Sequence, residues 1–335
     1  MQHGAYGRRR FIRDHGRVAL AAMLAQSAGV GAAWAQSDYP NRTIRMIVPF
    51  GAGAATDILT RHIEPSMSHT LGQKIVIDNR AGANGITGAQ LVKPAAADGY
   101  TLCMGSTSSH SIVAAMRPNS MPYDIQADFS AIGLAAKSAN LIAVHPSVPA
   151  KNLRELIEYS KTQPQGLSFA SSPVGSSNNL AGEMLRLQGA KLVSVPYNNI
   201  SQGVTDVLAG HVPILIYTVA LLPYVREGRL RGIATLSERR LTQAPDLPTA
   251  TEQGIPMVAT AWFGMFGPAK LPAGVRDKLS SALRHAIDDQ GVKQKLIEAG
   301  LEPEYLAPAQ FETFIARDIA LWKDVVQRAG VKTES

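Results

Sequence analysis

Two short stretches carry the residues that could do chemistry. In the first, Gly51, Ala52, Gly53 and Ala54 follow the apolar run 44–48, and Thr56-Asp57 then opens a helical pattern. In the second, Ser171, Ser172, Gly175, Ser176 and Ser177 follow the apolar run 167–170 and precede a helical pattern over 178–188. A strand, a small-residue loop and a helix N-terminus together aim unpaired backbone N–H groups, and the positive end of a helix dipole, at one point. Such a point binds an anion. Two of them, about 120 residues apart, suit a cleft that grips a small carboxylate from both sides. Thr56 reads as an N-cap and Asp57 as a first-turn acid favoured by the dipole, with a ligand contact open for Asp57.

The elements that position these loops follow from the apolar pattern. Residues 44–48 form a nearly continuous apolar run, as in a strand buried on both faces of a parallel sheet. Strands at 74–77 and 100–104 and a small-residue helix at 86–97 complete a βαβαβ block. The segment 105–111, GSTSSHS, lies at the carboxyl end of a strand, where open α/β sheets bind ligands. A second block holds strands at 141–144, 167–170, 192–195, 214–217 and 230–236. Asn152 with Glu155 reads as a capping box for the helix that follows. Beyond about residue 275 the pattern is helical, with core-facing stripes through Val275, Leu279 and Leu283 and through Phe311, Ile315 and Trp322.

Composition excludes several functions. The 335 residues are 45% hydrophobic and 18% charged, an ordinary globular balance. The formal charge is +7, but residues 1–35 hold five arginines and one acid, so +3 remains on the rest. With no basic stripe interleaved with aromatics, nucleic acid is not an expected partner. Arg8–Arg10, the apolar stretch 18–33 and Ala33-Trp34-Ala35 read as an export signal over residues 1–35, of ordinary or twin-arginine type. Cys103 is the single cysteine and reads as a small buried residue. The sequence has no GxSxG, HExxH or GxxxxGK[ST] pattern, and its histidines lack metal-ligand spacing, so no metal or cofactor is expected. Gly51-x-Gly53 with Asp78 resembles a dinucleotide fingerprint, but Thr56 stands at the third glycine position. An exported hydrolase using Ser106 or Ser176 with His110 is the alternative from another class, and a scaffold role a third.

The stretches IVPFGAGAATDILTR, QKIVIDNRAGANGITGA, DGYTLCMGSTSSH, MPYDIQADF, VPYNNISQGVTDVLAGHV and AWFGMFGPAKLP resemble, in this order, the exported solute-binding proteins of tripartite tricarboxylate transporters, the Bug group. The resemblance runs from about residue 39 to residue 330. It implies an α/β, type II periplasmic-binding-protein fold, with one lobe over 36–140 and 263–335, the other over 141–262, and a cleft between them. It implies a periplasmic receptor, monomeric, without enzymatic activity, that closes on a small organic carboxylate and delivers it to membrane transporter subunits or a sensor. It also implies a ligand held by backbone N–H groups, often through ordered waters. The positions carried over are Phe50, Gly51, Ala52, Gly53, Ala54, Thr56 and Asp57 on one side. On the other are Ser171, Ser172, Gly175, Ser176 and Ser177, with Ser106, Thr107, His110 and Tyr197 lining the cleft. Three departures stand out. Gly51–Asp57 has alanines where the family has PGGGTD, Asn179 replaces a common histidine, and Tyr217 stands where an acid is usual. Tyr217 is therefore expected to favour an aromatic or purely anionic ligand.

Overall fold

In the computed structural model, which describes residues 39–117, 119–197 and 199–331, the first apolar run becomes strand β1 (Ile44–Val48). Its parallel neighbours are β2 (Ile75–Asn79) and β3 (Thr101–Ser106). Between them lie α1 (Ala55–Leu71) and α2 (Ile86–Val92), and α3 (Val113–Met116) follows. The long strand β4 (Phe129–Val144) leads to α4 (Leu153–Thr162), β5 (Leu167–Ser171), α5 (Ser177–Leu187), β6 (Leu192–Pro196) and α6 (Ile200–Leu208). The chain continues through β7 (Ile214–Thr218), α7 (Leu222–Arg226), β8 (Arg231–Thr235) and β9 (Thr260–Pro268). It ends with α8 (Ala273–Asp288), α9 (Gln290–Glu298), β10 (Glu302–Leu306) and α10 (Pro308–Ala329).

The strands run β2-β1-β3-β9-β4-β7-β5-β6, with β8 and β10 also pairing with β4. β4 is the axis of this arrangement. Its residues up to Ala139 pair with β9, and from Asn140 onward they pair with β7 and β8. One strand therefore belongs to two half-sheets, each with a parallel trio at its outer side: β2, β1 and β3 in one, β7, β5 and β6 in the other. Two apolar clusters fill these halves, the second also taking in Ile112, Ala115 and Trp322 from outside 141–262. Trp262, Phe266 and Phe311 fill the first, and Phe169, Leu180 and Ile216 lie in the second.

The pattern-based elements are recovered, and three strand segments go unread. Asn152 caps α4, its Oδ1 accepting from Glu155 N at 2.9 Å, while Glu155 Oε2 accepts from Lys151 N at 2.7 Å. The missed pieces are residues 129–140 of β4, and β9 and β10. The sequence of β4, FSAIGLAAKSANLIAV, is buried along almost its whole length. A strand covered on both faces has no reason to alternate, and small residues give it no β-branched signature. Among the described residues no helix is long and apolar enough to cross a membrane. The export signal expected over 1–35 lies outside the described residues.

Candidate functional site

The loop after β1 is built by one carboxylate. Asp57, the third residue of α1 and buried, reaches back so that its Oδ2 accepts from Gly53 N at 2.9 Å. The same oxygen accepts from Arg61 Nε at 2.9 Å, and Oδ1 accepts from Asn79 Nδ2 at 2.9 Å. Asn79 Nδ2 also donates to Phe50 O at 3.0 Å. The carboxylate is thus engaged on both oxygens, and burial pushes its carboxyl up. The hydrogen bonds from Arg61, Gly53 and Asn79 outweigh that and hold it below the ordinary value. Thr56 is not the N-cap. That position is Ala54, which has no capping side chain, and Thr56 is buried inside the first turn. Only Gly53 in this loop needs a left-handed backbone (φ 82°). The alanines at 52, 54 and 55 are therefore compatible with the turn.

These bonds use the amides of Gly53 and Ala54, the latter donating to Gly51 O at 3.2 Å. No hydrogen bond among the described residues engages the amides of Phe50, Gly51, Ala52 or the first three residues of α1. They are available donors at the positive end of a 17-residue helix.

The second loop is held by an asparagine. Asn178 Oδ1 accepts from Ser172 N (3.0 Å) and from Ser176 Oγ (2.8 Å), and its Nδ2 donates to Ser172 Oγ (3.2 Å). Ser176 caps α5, accepting from Asn179 N at 3.3 Å. Asn179 is buried and points at the strands, donating to Ser171 Oγ (3.1 Å) and Ser194 Oγ (2.9 Å). Asn140, where β4 changes partners, donates to Ser177 Oγ at 3.2 Å and to Ala259 O at 2.7 Å. This ties the second loop to the strand shared by both halves. Within the loop, Ser172 N and Ser176 N are used internally, and among the described residues no partner engages the amides of Val174, Gly175 or Ser177.

The second loop lies against residues 84 and 116 of the first half. A Cβ built on Gly175 would lie 4.0 Å from Asn84 Nδ2 and 3.6 Å from Met116 Cγ, both from the first half. Gly85, one residue on from Asn84, is wedged against Phe50. A Cβ on Gly85 would sit 3.1 Å from the Phe50 ring and 2.6 Å from Ser109 Cβ. Phe50, half-buried, thus forms the first-half wall beside the 82–85 loop.

Five expected positions have other duties. Ser106, Thr107 and His110 are buried. Ser106 lies 3.4 Å from Ser109 Oγ, and Thr107 Oγ1 accepts from Trp262 N at 2.6 Å. His110 stacks on Phe266 with ring centroids 4.3 Å apart and meets Ser109 Oγ through Nδ1 at 2.8 Å. Burial pushes its pKa down to about 3, so it is neutral and cannot supply a binding charge. Their π-helical turn, Ser108–Ile112, leaves Ser108 half-exposed at the surface. The serine that meets His110 is buried Ser109, and among the described residues neither Ser106 nor Ser176 makes the pairing that the hydrolase alternative requires. Tyr197 lies over Gly203 and donates to Asp206 Oδ2 at 2.8 Å. Tyr217 is half-buried against the cluster of Leu215, Val219 and Leu222. That packing removes the basis for reading Tyr217 as an aromatic-ligand contact.

Other expectations resolve simply. Asp78 is paired with Arg45 and Arg80, so it is not placed to hold a ribose. Cys103 is buried, its thiol pushed up to about 12 by that burial. Sequence reasoning did not single out Asn79, Asn84 or Asn178. Each stands beside a glycine- or serine-rich loop at the end of a strand, where a short amide can brace the backbone.

Two surface hollows, of about 490 and 330 Å³, adjoin the crossing strands around Lys137, Thr260 and Glu304 and include none of the expected ligand contacts. Their charges are mixed and largely paired, Lys137 with Glu304 at 2.9 Å and Arg240 with Glu252 at 2.9 Å. They offer no anion-selective donor set.

Two half-sheets sharing a strand, each with a strand–loop–helix turn, make up a periplasmic-binding-protein fold. The model of the tripartite tricarboxylate transporter family receptor matches residues 59–331, and the chain belongs to this family. It is a receptor of the TctC and Bug type, a family of non-enzymatic periplasmic solute receptors. Protein BugT of Bordetella pertussis is 32% identical over 318 residues, covering 94% of this chain and 98% of that protein. A periplasmic transporter structure is similar at a TM-score of 0.76, with 33% identity over 88% of this chain and 100% of that one. The Rhodopseudomonas palustris protein Rpa4515 with adipate has a TM-score of 0.75 and 30% identity over 88% and 99% of the two chains. MatC of the same organism, with bound malate, has a TM-score of 0.72 and 31% identity over 86% and 100%.

Proposed function

We propose that this receptor captures a small organic carboxylate between the 50–57 and 171–177 loops by closing two lobes, 36–140 with 263–335 and 141–262. The observation that supports this reading is a pair of strand–loop–helix turns with unengaged backbone amides, the second of which lies beside Asn84 of the first half. The change of partners along β4 between Ala139 and Asn140 supports the hinge and the lobe boundary. The carboxylates held by Rpa4515 and MatC, adipate and malate, support the ligand class. Electrostatics agree. Asp57 is paired with Arg61, so the first loop presents helix dipole and N–H donors without a competing negative charge.

Micromolar binding needs about −8 kcal/mol, and a well-aligned hydrogen bond to a charged group contributes about 1.5–3 kcal/mol. Four or five such bonds, less the cost of ordering, reach that range without a ligand-facing arginine. The delivered partner is the membrane part of a tripartite transporter, with a sensor as the second possibility. Residues 1–35, by their arginine cluster and apolar stretch, serve as the export signal. The receptor acts as a monomer.

The test is a melting-temperature screen of the receptor with adipate, malate, citrate, glutamate and benzoate, read beside native mass spectrometry. At least one acid raises the melting temperature and adds its own mass, one per chain. No shift with any of them contradicts the carboxylate reading.

A further inference from the structure

We infer that Asn84 is the positioning residue that shuts the cleft over the ligand and sets how fast it leaves, an inference that rests on the receptor reading above. Ala83 and Asn84 both adopt left-handed backbone, at φ 45° and 54°. For residues with a Cβ that conformation is costly, and Asn tolerates it better than most. The strained turn is held by its own backbone bonds and by packing from outside. Gly82 O accepts from Gly85 N at 2.9 Å and from Thr87 N at 3.4 Å, and Gly85 is pressed between Ser109 and Phe50. A short, braced finger results, fixed to the first half of the site, with Asn84 exposed at its tip.

That tip is aimed at the second half. Gly175 is buried although its neighbours Pro173 and Val174 are exposed, and the groups covering it are Asn84 Nδ2 and Met116. Gly175 is itself left-handed (φ 83°). A side chain there would strain the turn, while its Cβ would meet Asn84 and Met116 at ordinary contact distance. The contact adds to the other links between the halves, the shared strand β4 and the packing of α10 on α5. Opening the cleft must separate Asn84 from Gly175, whereas ligand entry into an open cleft does not depend on it. The contact therefore acts on release and leaves capture alone.

The experiment follows binding and release by stopped-flow tryptophan fluorescence, Trp262 lying on crossing strand β9. The probe is whichever of adipate, malate, citrate, glutamate and benzoate binds the unaltered protein most tightly. Asn84→Gly keeps the left-handed turn and deletes the amide. It should release the acid about threefold to tenfold faster, with an association rate within about twofold and an unchanged melting temperature of the unliganded protein. Asn84→Asp keeps the shape but places a negative charge beside the anion, and should release it faster still. Equal release rates in the unaltered protein and both variants would overturn the role of Asn84 while leaving the receptor reading intact. Failure of the unaltered protein to bind any of the acids removes the receptor reading, and this inference with it.

Discussion

Asp57→Ala should lower carboxylate affinity about a hundredfold through the loop that its carboxylate braces. The substitution strips the acceptor from Gly53 N–H, one acceptor from Asn79 Nδ2, and the counter-ion from Arg61. Gly53 and Arg61 are reached by water, which can replace the lost acceptor there, so stability falls by only about 1 kcal/mol. The loop's free amides then lose the fixed geometry that lets several of them meet one carboxylate group. Calorimetric titration with the acid found in the melting screen, alongside thermal melting, reads both effects. An unchanged affinity would show that the loop holds its shape without this carboxylate.

The pH dependence follows in sign from the same bonds. The folded-state pKa of Asp57 lies below its ordinary value of 3.8. Its stabilisation is therefore complete above that ordinary value and is lost as the pH falls through the lowered one. His110, neutral with a pKa of about 3, adds no charge change at physiological pH. Affinity for a fully ionised acid should thus stay flat from about pH 5 to about pH 8.

Asn178→Ala should be the second-loop counterpart, weakening binding by about tenfold to a hundredfold. It removes three bonds at once: those from Ser172 N and Ser176 Oγ to Oδ1, and that from Nδ2 to Ser172 Oγ. Asn178→Asp separates shape from charge. Its carboxylate can still accept from Ser172 N and Ser176 Oγ, so the loop and the melting temperature should hold. The added negative charge beside a site for anions should still reduce affinity. If Asn178→Asp binds as tightly as the unaltered protein, the second loop does not face the ligand's charge.

The parts of the fold legible in the sequence were those with a local signature. The run IRMIV, the capping box at Asn152 and Glu155, and the two strand–loop–helix turns announce themselves by burial pattern and turn chemistry. β4 and β9 do not, because a strand covered on both sides and rich in alanine and glycine has no period to read. The site divides in the same way. Backbone donors at helix ends follow from chain order alone, and so the two loops could be named. What a side chain near them does depends on tertiary packing. Burial, with neighbours supplied by β9, turned His110 and Thr107 into core residues. Asp57 and Asn178 became braces because their partners lie in the loops' own backbone and, for Asp57, 22 residues away at Asn79.

The central claim is that backbone N–H groups from opposite halves hold one carboxylate group. Amide chemical shifts of a ¹⁵N-labelled protein, recorded as the ligand acid is added, test it most directly. The account predicts large downfield proton shifts at Gly51 and Ala52 and in the first turn of α1, together with Val174, Gly175 and Ser177, saturating at one acid per protein. Gly53 and Ala54, whose N–H groups already donate within the loop, should move less. Shifts confined to one half, or centred on Lys137 and Glu304 with both loops silent, would contradict it.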